Sequence, residues 1–273
     1  MKYYAGIDSG STTTKIVIVE ESGTIVASEI VPSGSNLRES AGVAFENIER
    51  KHHISKDQVE RYVPTGYGRF LLGISSKPYS EITCCARGVF ALCPAARTII
   101  DVGGQDCKVI RSDHNGKVKQ FSLNDKCAAG TGRFLERIAV SLGLELDQMV
   151  RLSLASNSKI SISNTCTVFA ETEVISRVSS GEDIGSIVRG LHYSLASKIG
   201  TLLLRLGAER EVYMCGDGAL NVALLQELSE VIKAEIIRPH ELDCRLVTAL
   251  GAALMARSGQ QASLEITKEE KLV

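Results

Sequence analysis

One pattern occurs twice in this chain, with the two copies 93 residues apart. The repeated positions are Asp8 and Asp101, Gly10 and Gly103, Lys15 and Lys108, and Gly23 and Gly116. In each copy an apolar run leads into an Asp-x-Gly turn and another apolar run follows, which predicts two strands joined by a tight turn. Because all four identities share one offset, they indicate an internal duplication. We expect two related domains, each presenting an Asp-tipped hairpin to a shared cleft where a ligand binds.

The order of the predicted elements gives the fold class and the domain limits. Strands and helices are mixed along the chain, which is typical of an α/β fold. With 273 residues, of which 44% are hydrophobic, the chain is long enough for two packed domains. We predict a first domain at residues 1–95 plus a C-terminal helix at about 246–257, a second domain at 96–245, and a polar tail at 258–273.

Composition disfavours several classes of partner. The chain has 31 basic and 32 acidic residues, a net charge of −1 and no run of like charge, so neither nucleic acid nor an anionic membrane is an expected partner. No apolar run approaches the ~20 residues of a membrane span, and no signal-like apolar segment follows Met1. We therefore expect a cytoplasmic protein.

The cysteines are numerous but widely spaced. None of the eight forms a C-x-x-C pair, which excludes a zinc ribbon and a ferredoxin-type run. In a reducing compartment, disulfide pairing is not expected in a chain of this length. Any metal site must therefore gather distant ligands or use more than one chain.

One cysteine, Cys127, has a sequence context that favours a reactive or metal-binding thiolate. The segment from Asn124 to Glu136 places Cys127 in a loop of small residues just before a predicted helix. Backbone N–H groups at a helix N-terminus stabilise a thiolate, so Cys127 is a candidate thiolate or metal ligand. Cys166 has a similar setting, among hydroxyl residues before another predicted helix. The alternative is a buried cysteine that packs as a small apolar residue.

Glycine-rich turns provide candidate phosphate and nucleoside contacts. The turn from Asp8 to Lys15 is rich in Gly, Ser and Thr, so it can expose several backbone N–H groups to phosphate oxygens, and its carboxylate can hold hydrated Mg²⁺. An ordinary hairpin is the competing interpretation of this turn alone. The later turn from Gly216 to Asn221 follows a predicted strand and suits close approach of a nucleoside.

Together these features resemble the actin, Hsp70 and sugar-kinase superfamily of ATP-binding folds. Four motifs narrow the resemblance: Ile7-Asp8-Ser9-Gly10-Ser11-Thr12, Asp101-Val102-Gly103-Gly104-Gln105-Asp106, the Cys127 loop Asn124–Phe134, and Thr165-Cys166-Thr167-Val168-Phe169-Ala170-Glu171. They are similar to the activator component of 2-hydroxyacyl-CoA dehydratases, an ATP-dependent iron–sulfur reductase of the BadF/BadG/BcrA/BcrD ATPase family. That family also contains ATPase subunits of benzoyl-CoA reductase. The resemblance runs from residue 3 to about residue 256.

The resemblance implies a homodimer with one bridging [4Fe-4S] cluster. Cys127 and Cys166 of each chain would be the ligands, which gives four sulfurs across a two-fold axis. Cys107, Cys215 and Cys244 are then expected to be core residues, while the roles of Cys84 and Cys85 stay open.

The same resemblance places ATP and Mg²⁺ between the domains. Asp8 and Asp101 would hold the metal through water, and Gln105 would orient the attacking water. The phosphates would be surrounded by Ser11, Thr12, Thr13, Lys15, Gly103 and Gly104. The adenosine side would be lined by Gly216, Gly218 and Asn221. Here the chain departs from its family, because Asp217 stands where the second glycine of a pair is usual.

The implied function is ATP-driven transfer of one low-potential electron to a 2-hydroxyacyl-CoA dehydratase, with ferredoxin or flavodoxin as the donor. A benzoyl-CoA reductase-type partner is an alternative. So is a small-molecule kinase, although the sequence offers no obvious acceptor pocket or catalytic base for it. A nucleotide-dependent chaperone or sensor, with structural or redox-reporting Cys127 and Cys166, is the remaining alternative.

Overall fold

The computed structural model describes residues 2–124, 131–162 and 167–259. The first of its two sheets is built from β1 (Tyr3–Ser9), β2 (Thr13–Glu20), β3 (Ile25–Pro32) and β4 (Val59–Thr65). Their order across the sheet is β3-β2-β1-β4. The first three strands are antiparallel, and β4 pairs with β1 in parallel. The end of β1, with Asp8, therefore lies in the middle of the sheet.

The second sheet repeats this arrangement and adds one short strand. It is built from β5 (Thr98–Val102), β6 (Cys107–Ser112), β7 (Val118–Asn124), β8 (Val212–Cys215) and β9 (Ile236–Ile237). The order is β7-β6-β5-β8-β9, with β5, β6 and β7 antiparallel and with β8 parallel to β5. The predicted α/β class with two related halves is confirmed.

The duplication extends to strand register. Asp8 lies opposite Lys15 in the β1–β2 pair, and Asp101 lies opposite Lys108 in the β5–β6 pair. Each carboxylate thus has a lysine on the neighbouring strand, which is an arrangement that stabilises opposite charges across an antiparallel pair.

The two turns correspond as well. The amide of Gly10 donates to the carbonyl of Thr13 over 3.1 Å, and the amide of Gly103 donates to the carbonyl of Asp106 over 2.9 Å. Both hydrogen bonds occupy equivalent positions of the repeat, so the two turns are closed in the same way.

A glycine follows the parallel strand in each half and packs on the Asp side chain. Gly66 follows β4 with φ 84°, and Gly216 follows β8 with φ 79°. A Cβ at either position would collide with the carboxylate of Asp8 or Asp101 respectively. Glycine is required at both places by the positive φ and by this close approach.

Two helices cross between the sheets. They are α2 (Glu81–Leu92) and α8 (Val247–Ser258). A Cβ at Gly88 would collide with the backbone of α8, and one at Gly251 would collide with the backbone of α2. The helices therefore touch backbone to backbone. While α2 contacts β5, β6 and β7, α8 contacts β1, β2 and β4.

The C-terminal helix packs on the first sheet, where Gly6 of β1 faces the backbone of Ala249 and Ala253. The exact limits of the two predicted domains stay a prediction. Most of the predicted tail, from residue 260 onward, lies outside the described residues.

The remaining helices pack either on a sheet or on other helices. They are α1 (Leu37–His52), α3 (Gly132–Leu142), α4 (Leu146–Ala155), α5 (Thr167–Ser179), α6 (Ile184–Leu206) and α7 (Val222–Ile232). α1 packs on the first sheet, and α6 is the central helix of the core on the second sheet. Among the helices of the described ranges, none has the length and apolar character needed to cross a membrane.

Candidate active site

A cavity of about 460 Å³ opens between the two halves. Its walls include both Asp-tipped hairpins and the turn after β8. The predicted residues that line it are Asp8, Ser11, Thr12, Thr13, Lys15, Asp101, Gly103, Gly104, Gln105 and Gly216. A cavity of this size and mixed character is typical of a small-molecule site. The structure thus brings together residues from separate parts of the sequence.

The carboxylates of the cavity are buried and face lysines. Asp8 and Asp101 are 6% and 8% exposed. Lys15 Nζ lies 3.3 Å from Asp8 Oδ2. Burial by itself would lower the pKa of Lys15, but the carboxylates of Asp8, Asp217 and Asp101 raise it above its ordinary value. Lys15 therefore carries its charge into the cavity.

Three hydroxyls of the first turn lack partners among the described residues. They are Ser9 Oγ, Thr12 Oγ1 and Thr13 Oγ1, and all are buried. An unsatisfied buried polar group costs about 1–3 kcal/mol. Thr12 and Thr13 line the cavity, so a ligand that bonds to their hydroxyls would recover free energy. Thr14, the next residue, differs because its hydroxyl contacts the hydroxyls of Ser33 and Ser40.

The second turn touches the first across the cleft. A Cβ at Gly104 would lie 2.8 Å from Thr12 Oγ1, which is too close for a side chain. Gly103 is equally confined by its own turn, because a Cβ there would lie 2.8 Å from Asp106 Oδ1. These glycines leave the backbone accessible to a phosphate-sized group between the turns.

Helix α3 begins on this second turn. The amide of Gly132 donates to the carbonyl of Gly103, and the amide of Arg133 donates to the carbonyl of Gly104, each over 3.1 Å. The first N–H groups of a helix have no partner within the helix, so the turn satisfies two of them. The start of α3 is therefore hydrogen-bonded directly to the Gly103–Gly104 turn.

Helices α3 and α5 are paired side by side. Glu171 of α5 accepts hydrogen bonds from Arg137 Nε, over 3.1 Å, and from the hydroxyl of Ser141, both on α3. α3 follows Cys127 in the chain, and α5 begins directly after Cys166. Both cysteines lie outside the described residues, so their predicted role as metal ligands stays a prediction.

Of the three residues predicted to line the adenosine side, the structure places one at the cavity and two away from it. Gly216 lines the cavity, and so does Asp217, whose pKa is raised by burial although Lys15 opposes that shift. Gly218 and Asn221 are not among the residues that line the cavity. A Cβ at Gly218 would collide with the side chain of Val102, so Gly218 is a packing position.

Asn221 has a structural role. Its side-chain oxygen accepts from the amide of Leu224 over 2.9 Å, which caps α7, and its amide nitrogen lies 3.1 Å from His192 Nε2. Asparagine before a helix is a frequent cap, so the sequence was compatible both with helix capping and with contact to a nucleoside.

A cationic centre that sequence reasoning missed lies beside Asp101. Lys108, 4% exposed, has its Nζ 2.8 Å from Asp106, 3.5 Å from Glu81 and 3.6 Å from Asp101. Burial opposes its charge, but the three carboxylates raise its pKa well above the ordinary value. The repeat could have identified Lys108 as a candidate site residue, because it occupies the position equivalent to Lys15.

Glu81 is the other missed residue. It is the first residue of α2 and lines the cavity. Burial raises the pKa of Glu81 to about 7, although Lys108 pulls it down. An acidic residue in the first turn of a helix is so common that its sequence position gave no signal of function.

Of the six cysteines in the described residues, all but Cys93 are buried. Cys107, Cys215 and Cys244 are buried as predicted, and so are Cys84 and Cys85. Burial raises the pKa of Cys84 and of Cys107 to about 12.

The Sγ atoms of Cys85 and Cys215 lie 3.5 Å apart. Within the described ranges, these two cysteines and Asp101 are the one group with ligand atoms close enough to hold a metal ion. The two thiols belong to an apolar core cluster, which favours packing as their role.

The sequence matches a known protein family over most of its length. Residues 5–256 match the BadF/BadG/BcrA/BcrD ATPase family. The activator of lactoyl-CoA dehydratase from Anaerotignum propionicum is 44% identical, over 95% of this chain and 99% of that protein. The structure of the activator of the 2-hydroxyisocaproyl-CoA dehydratase from Clostridium difficile with bound ADPNP has a TM-score of 0.88 and 41% identity. It covers 94% of this chain and 95% of that one.

A more distant similarity concerns the fold alone. The ROK family glucokinase from Streptomyces griseus, solved with glucose and AMPPNP, has a TM-score of 0.59 at 12% identity, with 94% of this chain and all of that chain covered (100%). The predicted actin-like and sugar-kinase-like fold is thereby confirmed.

Proposed function

Because this chain belongs to the BadF/BadG/BcrA/BcrD ATPase family, we propose that it is the ATP-hydrolysing activator of a 2-hydroxyacyl-CoA dehydratase. In this proposal it delivers one low-potential electron from a [4Fe-4S] cluster shared by a homodimer, and ferredoxin or flavodoxin supplies that electron. Support comes from the relatives at more than 40% identity that are named as activators of such dehydratases.

The described residues fit a magnesium nucleotide. Orphaned hydroxyls at Thr12 and Thr13 and the confined backbone at Gly103 and Gly104 suit phosphate oxygens. Asp8 and Asp101 would hold Mg²⁺ through water, since hydrated Mg²⁺ is commonly bound by one or two carboxylates. The ion would neutralise phosphate charge, while Lys15 places a further cation beside the first turn.

The hydrogen bonds from Gly132 and Arg133 to the Gly103–Gly104 turn are the observation that carries the proposal. They connect a nucleotide-responsive turn to the helix that follows Cys127, without an intervening side chain. A change of phosphate state between the turns would shift the start of α3, and α5 would move with it through Glu171. Such a small shift at a rigid element is a common way to convert nucleotide state into motion.

Cys127 and Cys166 would hold the cluster, whose chemistry is to store and release one electron. Positioned helix N-termini would stabilise its anionic thiolates, so reorienting α3 and α5 would change its potential. For one electron each 100 mV corresponds to about 2.3 kcal/mol, so several hundred millivolts require on the order of 10 kcal/mol. ATP hydrolysis is a suitable source for that free energy.

Anaerobic purification tests the proposal. We expect a brown homodimer with about four iron atoms per dimer, and we expect Cys127→Ala to lose this iron while still binding nucleotide. Cys93→Ala is the matched control, because Cys93 is only partly buried and is outside the predicted ligand set. A colourless monomer that hydrolyses ATP would contradict the electron-transfer function, and unchanged iron in Cys127→Ala would remove the ligand assignment.

A further inference from the structure

Among the described residues, five carboxyl groups line the cavity, and their surroundings differ. Asp8 and Asp101 are almost fully buried at strand ends. Asp106 is held to Lys108 Nζ at 2.8 Å. Asp217 lies in the turn that follows Gly216, where burial raises its pKa and Lys15 opposes that shift. Glu81 has its nearest cation at 3.5 Å and keeps 27% of its side chain exposed toward the cavity.

The position of Glu81 is fixed by rigid elements. Ser80 caps α2, because its hydroxyl accepts a hydrogen bond from the amide of Thr83 over 3.1 Å. Farther along, α2 is held against α8 at Gly88. A side chain at the first turn of such a helix is presented at a defined place, as a catalytic group must be.

Lys108 links Glu81 to the second phosphate turn. The same ammonium group contacts Glu81, Asp106 and Asp101. Glu81 is thus next to the turn where the γ-phosphate of ATP is expected. Gln105, which also lines the cavity, has an amide that can orient a water but is a poor proton acceptor.

The charged groups around Glu81 suit proton transfer near neutral pH. Burial raises its pKa to about 7, Lys108 opposes this shift, and the carboxylates of Asp106, Asp8 and Asp101 add to it. A general base works best when its pKa is close to the operating pH.

We propose that Glu81 accepts the proton of the water that attacks the γ-phosphate of ATP. The water oxygen forms a bond to the γ-phosphorus, the bond from that phosphorus to the bridging oxygen breaks, and ADP leaves with the electron pair. The proton passes to a carboxylate oxygen of Glu81 and later to solvent through the open side of the cavity. This role rests on the ATPase part of the proposed function and on ATP binding in this cleft, but not on the cluster or on the dehydratase.

The test is single-turnover ATP hydrolysis by the full chain across about pH 5.5 to 9, with ATP affinity measured in parallel. In Glu81→Gln we expect the rate constant to fall by roughly 10²–10⁴-fold while ATP affinity changes little. The wild-type rate should rise with pH through about 7, because Glu81 must be ionised to accept a proton, and this rise should be absent in Glu81→Gln. Glu81→Asp should keep the rise at a reduced rate.

Glu60→Gln is the matched control. It removes the same charge from a surface ion pair with Lys2, outside the cavity, and should behave as wild type. Hydrolysis by Glu81→Gln within about threefold of wild type, or an unchanged rise through pH 7 in that variant, overturns the proposal. A wild-type hydrolysis rate for Glu81→Asp also overturns the proposal. This measurement tests the role of Glu81 even if Glu81→Gln does not fold. A wild-type chain that hydrolyses no ATP would instead contradict the proposed function itself.

Discussion

At the scale of single residues, adjacent threonines of one turn have opposite roles. The hydroxyl of Thr13 is buried without a partner among the described residues, whereas that of Thr14 lies 3.0 Å from both Ser33 and Ser40. Because strand residues alternate between faces, neighbours in β2 face different surroundings. One threonine is available to a ligand, and the other holds the turn to α1 and to the segment after β3.

This contrast gives a paired prediction. Thr13→Val should weaken ATP binding roughly ten- to a hundredfold, because a hydrogen bond to a charged group is worth about 1.5–3 kcal/mol. Its unliganded stability should stay the same or rise, since an unsatisfied hydroxyl is removed. Calorimetric titration and thermal unfolding of the same sample measure both quantities.

Thr14→Val is the control with the reverse pattern. We expect a lower melting temperature, because Ser33 and Ser40 each lose a partner. Thr13→Val that is destabilised without loss of ATP affinity would show that its hydroxyl has a structural role.

At the scale of elements, sequence and structure agree best where a pattern is local. The hairpins followed from the repeat, and the buried apolar residues of α6 recur at helical spacing, because burial imposes that period. β7 gave no such signal, since Lys119, Gln120 and Phe121 are exposed in succession. Its place in the sheet depends on pairing with β6, which is a tertiary effect.

In the candidate site, too, the residues set by a local pattern could be predicted and those placed by tertiary packing could not. Asp8, Asp101 and the glycines could be predicted because a turn requires particular residue types at fixed spacing. Glu81 could not, because only the packing of α2 between the sheets brings it to the cavity. At the nucleoside side, Gly218 packs on Val102 and Asn221 caps α7, so their contact with adenosine stays a prediction. Strand–turn–helix sequences are alike whether the turn faces a ligand or the core.

The start of α3 provides the prediction for elements. Gly132→Pro should leave α3 intact, because proline is favoured in the first helical position, but it removes the N–H that donates to Gly103. We expect ATP hydrolysis to continue with fewer electrons delivered per ATP. The measurement is the ratio of electrons transferred to phosphate released.

Gly132→Ala is its control, because alanine keeps the N–H, while its Cβ, 3.3 Å from the carbonyl oxygen of Gly103, requires only a small shift of the turn. It should retain a ratio near that of wild type. Equal ratios in the proline and alanine variants would contradict the role of this hydrogen bond in coupling.

At the scale of the whole molecule, the crossing of α2 and α8 joins the halves. A methyl group at Gly251 would meet the carbonyl of Cys84, so Gly251→Ala should lower the free energy of unfolding by about 1–3 kcal/mol through overpacking. Urea unfolding measures this loss.

Gly42→Ala is the opposite control. Gly42 is in α1, and a Cβ added there would have no neighbouring atom within 4 Å, so alanine should stabilise the protein by about 0.5–1 kcal/mol. If Gly251→Ala were more stable than the wild type, the crossing of α2 and α8 would have space for a methyl group at this position.

At the crossing of these helices, Gly88 and Gly251 bring the two backbones into direct contact, and beside it Cys84 Sγ packs 3.9 Å from Met255 Sδ. A rotation of one helix over the other would pivot at this contact. α2 has 12 residues, so it is about 18 Å long. A rotation of about 10° around its middle moves each end by about 1.5 Å, which is half the length of a hydrogen bond. The N-terminal end of α2, which carries Glu81, would move by this distance relative to α8 if the two halves rotated in this way.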